Sequence, residues 1–205
     1  MSLLRKFNES EKKDRLATLP NLLTLSRAVG GVALGTLMAA KMVGPMEAFS
    51  FAAILGATDA EGNIIKFSEK YPRLQKALRI YPSKIGSDID PIADKALTIP
   101  VLIGGILSGE ISSVIATGLI ASETITSGVT IAAKLKDKDP EVSNIGKLGM
   151  ISRVGTIGSN LLLSSVEGHS VLHNALETTT NVGFAASMGL GLYSAYTLYK
   201  ENFSK

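Results

Sequence analysis

The chain has 205 residues, of which 45% are apolar and 19% charged, with a net charge of +3 and no cysteine or tryptophan. Lack of cysteine excludes a disulfide framework, thiolate metal sites and thiol catalysis, and so small a net charge gives no case for a nucleic-acid partner. With a positive mean hydropathy and few charges, the apolar residues must be concentrated, which is a membrane composition in a chain of one-domain length.

Residues 1–19 are polar and basic, with Arg5, Lys6, Lys12, Lys13 and Arg15. They are too charged for the apolar core of a secretory leader and read as a cytoplasmic juxtamembrane segment. Six apolar stretches follow at 20–40, 46–66, 89–108, 111–133, 146–166 and 179–199. Each has the ~20 residues needed to cross ~30 Å of hydrocarbon. Their glycines, as at Gly30–Gly31, Gly104–Gly105, Gly183, Gly189 and Gly191, suit close approach of membrane helices. The expected fold is an all-α integral membrane domain over 20–200 with six transmembrane helices. One connection, 66–88, is enlarged. Within it Tyr71, Leu74, Leu78 and Tyr81 recur at helical spacing, so Phe67–Pro82 predicts a basic amphipathic segment on the cytoplasmic surface.

Lysine and arginine set the orientation. The second connection carries Lys66, Lys70, Arg73, Lys76, Arg79 and Lys84, and the fourth carries Lys134, Lys136, Lys138 and Lys147. The third and fifth carry none, and the first only Lys41. Basic residues on alternate connections place both termini in the cytoplasm.

Acids inside apolar stretches cost several kcal/mol and mark cavities or bound ions. Asp59, Glu61, Asp90 and Asp94 flank the second connection. Asp90 and Asp94 are four apart and share a helical face. Facing carboxylates repel unless a cation lies between them, and a hard dication takes such oxygen ligands. The alternative is helix-end pairing with the nearby lysines, and for Glu123, midway along the fourth stretch, a structural role is the preferred reading.

The segment Gly86–Asp94 fits G-x-x-x-D-x-x-x-D, and Asp59-Ala60-Glu61-Gly62-Asn63-Ile64-Ile65-Lys66 is similar to D-x-x-D-G-x-x-A-R. Together they resemble the signature of the CDP-alcohol phosphatidyltransferase family. Pro20-Asn21-Leu22-Leu23-Thr24-Leu25-Ser26-Arg27 matches the P-N-x-x-T-x-x-R that opens the family's first membrane helix. Asp90-Pro91-Ile92-Ala93-Asp94-Lys95 is closest to the D-P-x-A-D-K of phosphatidylglycerophosphate synthases and related cardiolipin synthases, and Ile145-Gly146-Lys147 to the I-G-K opening the fifth helix of the former.

The resemblance implies transfer of a phosphatidyl group from CDP-diacylglycerol to an alcohol, with release of CMP, in phospholipid biosynthesis. It implies Mg²⁺ or Mn²⁺ held by Asp59, Glu61, Asp90 and Asp94, with Asp94 also taking the acceptor's proton. Asn21, Thr24, Gly62, Lys66, Ser83 and Gly86 would bind the CDP-lipid. The site would face the cytoplasm of a bacterial plasma membrane, in a chain that can form a homodimer. Glycerol 3-phosphate is the expected acceptor, with Lys134, Lys147 and Arg153 as the cations for its phosphate.

The sequence departs from the family at several positions. The first two acids are two apart rather than three, about 200° around a helix. Lys66 stands for the family arginine and offers a point charge instead of a fork. Between Lys66 and Gly86 lie 19 residues, more than the family pattern has. Ser122 stands where phosphatidylglycerophosphate synthases have arginine before the fourth-helix glutamate. Transfer to phosphatidylglycerol, an impaired family member and a transporter using the same acids are the alternatives. His169, His173 and Glu177 are spaced for one helical face, yet read as a polar external connection over 167–177.

Overall fold

A computed structural model describes residues 18–57, 67–68, 70–80, 84–136, 144–166 and 171–203. Side chains of residues 84–88, 90, 91, 134, 144 and 147 lie outside that description. The described residues form seven helices and no strand: α1 (Leu19–Ala39), α2 (Pro45–Ala57), α3 (Pro72–Ala77), α4 (Lys84–Ser108), α5 (Ser113–Lys134), α6 (Asn144–Ser165) and α7 (Val171–Phe203). Among them Leu19–Ala39 and Ser113–Ala133 are long and apolar enough to cross a membrane, and α2 is apolar but shorter. The chain divides into two compact units, one drawn from Met1–Thr36 and Ser50–Val101, the other from Leu37–Phe49 and Leu102–Lys205.

In the first unit, α1 begins where Thr18 caps it, its hydroxyl accepting the Asn21 N–H at 3.4 Å, which satisfies one orphan donor of the first turn. Thr24, Arg27, Gly31, Leu34 and Gly35 form its buried stripe, whereas Leu22, Leu25, Val29 and Val32 are exposed. The polarity is inverted relative to a water-facing helix: a charge lies inside and apolar side chains outside, as lipid contact favours.

Two glycines let α1 lie directly on α4. A Cβ at Gly31 would strike Leu97 Cα and lie 2.6 Å from the Ala96 carbonyl, and one at Gly35 would strike the Pro100 backbone. Successive turns of α1 thus meet successive turns of α4 in the same direction, so the two helices run parallel. Gly30 turns instead to Leu55 of α2.

Helix α3 is shorter than the segment predicted over Phe67–Pro82. Pro72 opens it, where its missing N–H costs nothing. It ends in a Schellman turn: Ile80 N–H bonds Gln75 O at 3.0 Å and Arg79 N–H bonds Lys76 O at 3.4 Å, with Arg79 at φ 51° where glycine is usual. Tyr71, Leu74 and Leu78 are exposed, in keeping with an apolar face, while Tyr81 lies outside the described residues. Ile80 is buried, and Arg79 O accepts the Leu19 N–H at 3.3 Å.

In the second unit, the stretch predicted at 111–133 becomes α5 and that at 146–166 becomes α6. The last one is corrected: helix α7 covers Val171–Phe203 rather than 179–199, so His173 and Glu177 are helical and not part of a long connection. At 1.5 Å per residue it spans about 50 Å, more than the hydrocarbon thickness. Its buried positions Thr180, Ser187, Gly191, Ser194, Ala195 and Leu198 make one stripe, small in side chain up to Leu198. That stripe meets α6 through hydroxyls: Ser152 donates to Gly183 O at 3.0 Å and Thr180 to Ser159 Oγ at 2.9 Å. As 152 pairs with 183 and 159 with 180, α6 and α7 are antiparallel. Gly118 abuts Phe184 and Gly191 abuts Ser122, so α5 runs parallel to α7. Small and hydroxyl-bearing residues are what helices use to associate where burial from water offers no driving force. The 46–66 stretch is helical through Ala57, its remainder lying outside the described residues.

Candidate active site

The first unit holds one described charged pair inside its helices. The Arg27 guanidinium donates from Nη1 to Asp94 Oδ1. Arg27 is 1% exposed and Asp94 31%, so the arginine is the interior partner and the acid keeps a face at the surface of the unit. A buried guanidinium demands a counter-charge, and Asp94 supplies it. The register that brings them together follows from α1: Arg27, Gly31 and Gly35 lie at i, i+4 and i+8, one face of the helix.

Asp94 sits ten residues into α4, whose backbone is helical without interruption from Lys84 to Ser108. Residues 90 and 94 are therefore one turn apart on a continuous helix, as their spacing predicts. Gly86 lies in the first turn of α4. Thr24 is buried one turn before Arg27, its hydroxyl donating to Pro20 O at 3.2 Å. Asn21 lies in the first turn of α1, on the same side of the helix as Thr24. Asp59, Glu61, Gly62, Lys66 and Ser83 lie outside the described residues. Among the described residues, no group of three or more histidine, aspartate or glutamate side chains is gathered as a metal would need. By chemistry, however, the expected donors are all carboxylate oxygens, and two come from adjacent turns of one helix. Such a set fits a hard dication.

A second charged pair lies in the other unit. Arg153 of α6 donates to Glu123 Oε2 of α5, with 13% and 16% exposure respectively. The structural role expected for Glu123 is thus filled by a mid-helix arginine, not by a lysine at the helix end. Arg153, one of the expected acceptor cations, already has a carboxylate partner. Lys134 ends α5 and Lys147 lies in the first turn of α6. Ser122 is fully buried against Gly191; an arginine there would have no room.

A third polar cluster lies in the same unit, at the α4–α5 turn. Gly109 takes φ 86°, and Gly105 O accepts both Gly109 N–H at 3.1 Å and Ile111 N–H at 3.0 Å. Burial holds the Glu110 carboxyl above the usual carboxylate range, the Glu47 charge adding to this while the Ser108 hydrogen bond and Lys41 oppose it. His173 Nδ1 lies 3.4 Å from Val166 O, and His169 lies outside the described residues.

Sequence reasoning quoted Arg27 as a motif position but gave it no role. The signal available was its four-residue spacing to Gly31 and Gly35. Compared with known families, residues 79–187 match the family model for CDP-alcohol phosphatidyltransferases, over half of the chain and across both Asp90 and Asp94. No curated protein and no solved structure matches the chain.

Proposed function

The chain belongs to the CDP-alcohol phosphatidyltransferase family, transferases for substituted phosphate groups, and we propose that it transfers the phosphatidyl group of CDP-diacylglycerol to an alcohol acceptor. The observation carrying this is the family match over 79–187, which takes in the helix bearing Asp90 and Asp94. The acceptor's hydroxyl oxygen attacks the phosphorus attached to diacylglycerol. The bond from that phosphorus to the CMP oxygen breaks, and CMP leaves with the electron pair. Asp94 takes the hydroxyl proton as general base. Asp59, Glu61, Asp90 and Asp94 would hold Mg²⁺ or Mn²⁺, which when bound offsets charge on the donor pyrophosphate and the leaving CMP. Asn21, Thr24, Gly62, Lys66, Ser83 and Gly86 would seat the nucleotide and its phosphates.

Six spans with both termini cytoplasmic are part of this reading, as is a bacterial plasma membrane. The alternation of basic connections supports the spans and their orientation. So do the packing directions within each unit: α1 parallel to α4, and α5 parallel to α7 with α6 antiparallel, as alternate crossings require. Glycerol 3-phosphate is the acceptor favoured by the resemblance of Asp90–Lys95 to D-P-x-A-D-K. A second reading, an acceptor without a terminal phosphate such as phosphatidylglycerol, whose phosphodiester carries a single negative charge, is favoured by the pairing of Arg153 with Glu123.

The test is CMP release by purified protein given CDP-diacylglycerol, Mg²⁺ or Mn²⁺, and either acceptor. Asp94→Asn should abolish release while leaving the thermal transition in place. Turnover retained by that variant would remove Asp94 as base, and no release by the wild type with any acceptor would leave the impaired-member and transporter readings.

A further inference from the structure

We propose that Arg27 is a positioning residue that orients Asp94 for proton removal, and that Gly31 and Gly35 set the helix contact that allows it. The inference rests on the reading of Asp94 as the base. Three observations carry it.

The first is the asymmetry of the pair. Arg27 is 1% exposed while Asp94 is 31% exposed. The arginine reaches Asp94 from within the unit and binds Oδ1 from the buried side. A carboxylate bound at Oδ1 from the buried side has its plane and rotamer restrained while part of it still faces outward.

The second is that the approach of the two helices is set by backbone, not by side chains that could yield. A Cβ at Gly31 or Gly35 would strike α4 main-chain atoms of Leu97 and Pro100. A helix separation determined by main chain is stiff, so the distance from the Arg27 backbone to the Asp94 backbone is stiff too.

The third concerns the local weakness of α4. Pro100 has no N–H, so the Ala96 carbonyl lacks its usual i+4 donor. Gly31 lies against that same carbonyl, its missing Cβ 2.6 Å away, close enough for a Cα–H contact to the oxygen. Helix α1 therefore braces α4 at the turn following Asp94, where the proline would otherwise let the helix end carrying the acid swing.

A merely structural arginine and one that grips donor phosphate make different predictions. Holding a base in line affects the chemical step; a misplacement of about 1 Å can cost about 10²-fold. The experiment compares wild type, Arg27→Ala, Arg27→Lys and Asp94→Asn, in full-length protein, by CMP release from CDP-diacylglycerol and by thermal unfolding. Expected is a fall in kcat of about 100-fold for Arg27→Ala, with KM for CDP-diacylglycerol within about threefold. Arg27→Lys should recover about tenfold of this, and added methylguanidinium should restore Arg27→Ala in a saturable way without stimulating wild type. Independent of turnover, Arg27→Ala combined with Asp94→Asn should unfold at a higher temperature than Arg27→Ala alone, because the double variant no longer carries the carboxylate charge that the buried guanidinium offset.

Unchanged kcat in Arg27→Ala, or a loss confined to KM, overturns the proposal. If Arg27→Ala does not fold, Arg27→Gln decides it: wild-type kcat in that variant shows that no cation is needed beside Asp94 and also overturns it. A wild type that releases no CMP refutes the transferase reading, and the role of Arg27 falls with it; wild-type turnover with an active Arg27→Ala refutes the role of Arg27 alone.

Discussion

Removing Glu123 should destabilise the protein far more than removing it together with Arg153. Each side chain is about six-sevenths covered, at 16% and 13% exposure, and Arg153 Nε has no hydrogen-bond partner. Breaking a fully buried ion pair costs about 3–5 kcal/mol, chiefly through the charge left behind, whereas replacing both members with apolar groups of similar size is often neutral. Allowing for residual exposure, Glu123→Ala should cost about 2–4 kcal/mol, and Glu123→Leu with Arg153→Met less than about 1 kcal/mol. The assay is reversible unfolding of purified protein in mixed micelles, followed by far-UV circular dichroism, for the two singles and the double. A double variant as unstable as Glu123→Ala would refute the reasoning, since the loss would then be packing rather than stranded charge. The same variants bear on the acceptor. If Glu123 neutralises a cation that would otherwise receive phosphate, Glu123→Gln should improve turnover with glycerol 3-phosphate relative to phosphatidylglycerol, and an unaltered ratio would separate the pair from acceptor choice.

The glycines should rank by what a methyl group meets. Gly31→Ala drives Cβ into α4 backbone and should cost about 1–3 kcal/mol, Gly30→Ala meets only the end of the Leu55 side chain and should cost less, and Gly56→Ala, with nothing within 4 Å, should be neutral or stabilise by up to about 1 kcal/mol; thermal unfolding of the three variants checks the order. Glu110, raised by burial, binds its proton more readily folded than unfolded, so its contribution is fully present below the unfolded pKa and is lost as pH rises through the folded one. Glu110→Gln should therefore flatten the fall in unfolding temperature on going from acid to neutral pH, and a parallel pair of pH curves would count against it. Lys41 and Arg79 take φ 56° and 51° at helix ends where the left-handed conformation costs about 1–2 kcal/mol, so glycine at either position should raise the unfolding temperature while leaving CMP release unchanged.

Hydropathy located helices well because an apolar run of spanning length is visible without knowing its neighbours. It failed on α7, since it measures what a bilayer requires and not what a helix requires. The residues from Val171 to Thr178 include His173, Asn174 and Glu177 and have no need to be apolar if they extend beyond the hydrocarbon. Likewise Tyr71, Leu74 and Leu78 gave α3 its apolar face, but nothing in that periodicity showed that Arg79 would adopt a left-handed turn and end the helix.

The helix carrying Asp90 and Asp94 was legible in a different way. The two acids could be singled out as a candidate site from their identity and spacing, because four-residue intervals become neighbours on any helix. Their partners could not be read, because Arg27 and Asp94 are 67 residues apart and Glu123 and Arg153 are 30 apart. Which arginine faces which acid depends on helix register, and register depends on the small residues between helices. Gly31 and Gly35 do this for the first pair, and Gly191, against Ser122, brings α7 to the turn that carries Glu123. Among the described residues many large apolar side chains face outward while charge inside the helices must be balanced, and two arginines in mid-helix are balanced by two acids. The family signature names Asp94, but the charge paired with it comes from outside that signature: the guanidinium of Arg27, delivered by a helix that can come close enough only because it carries glycine one and two turns later.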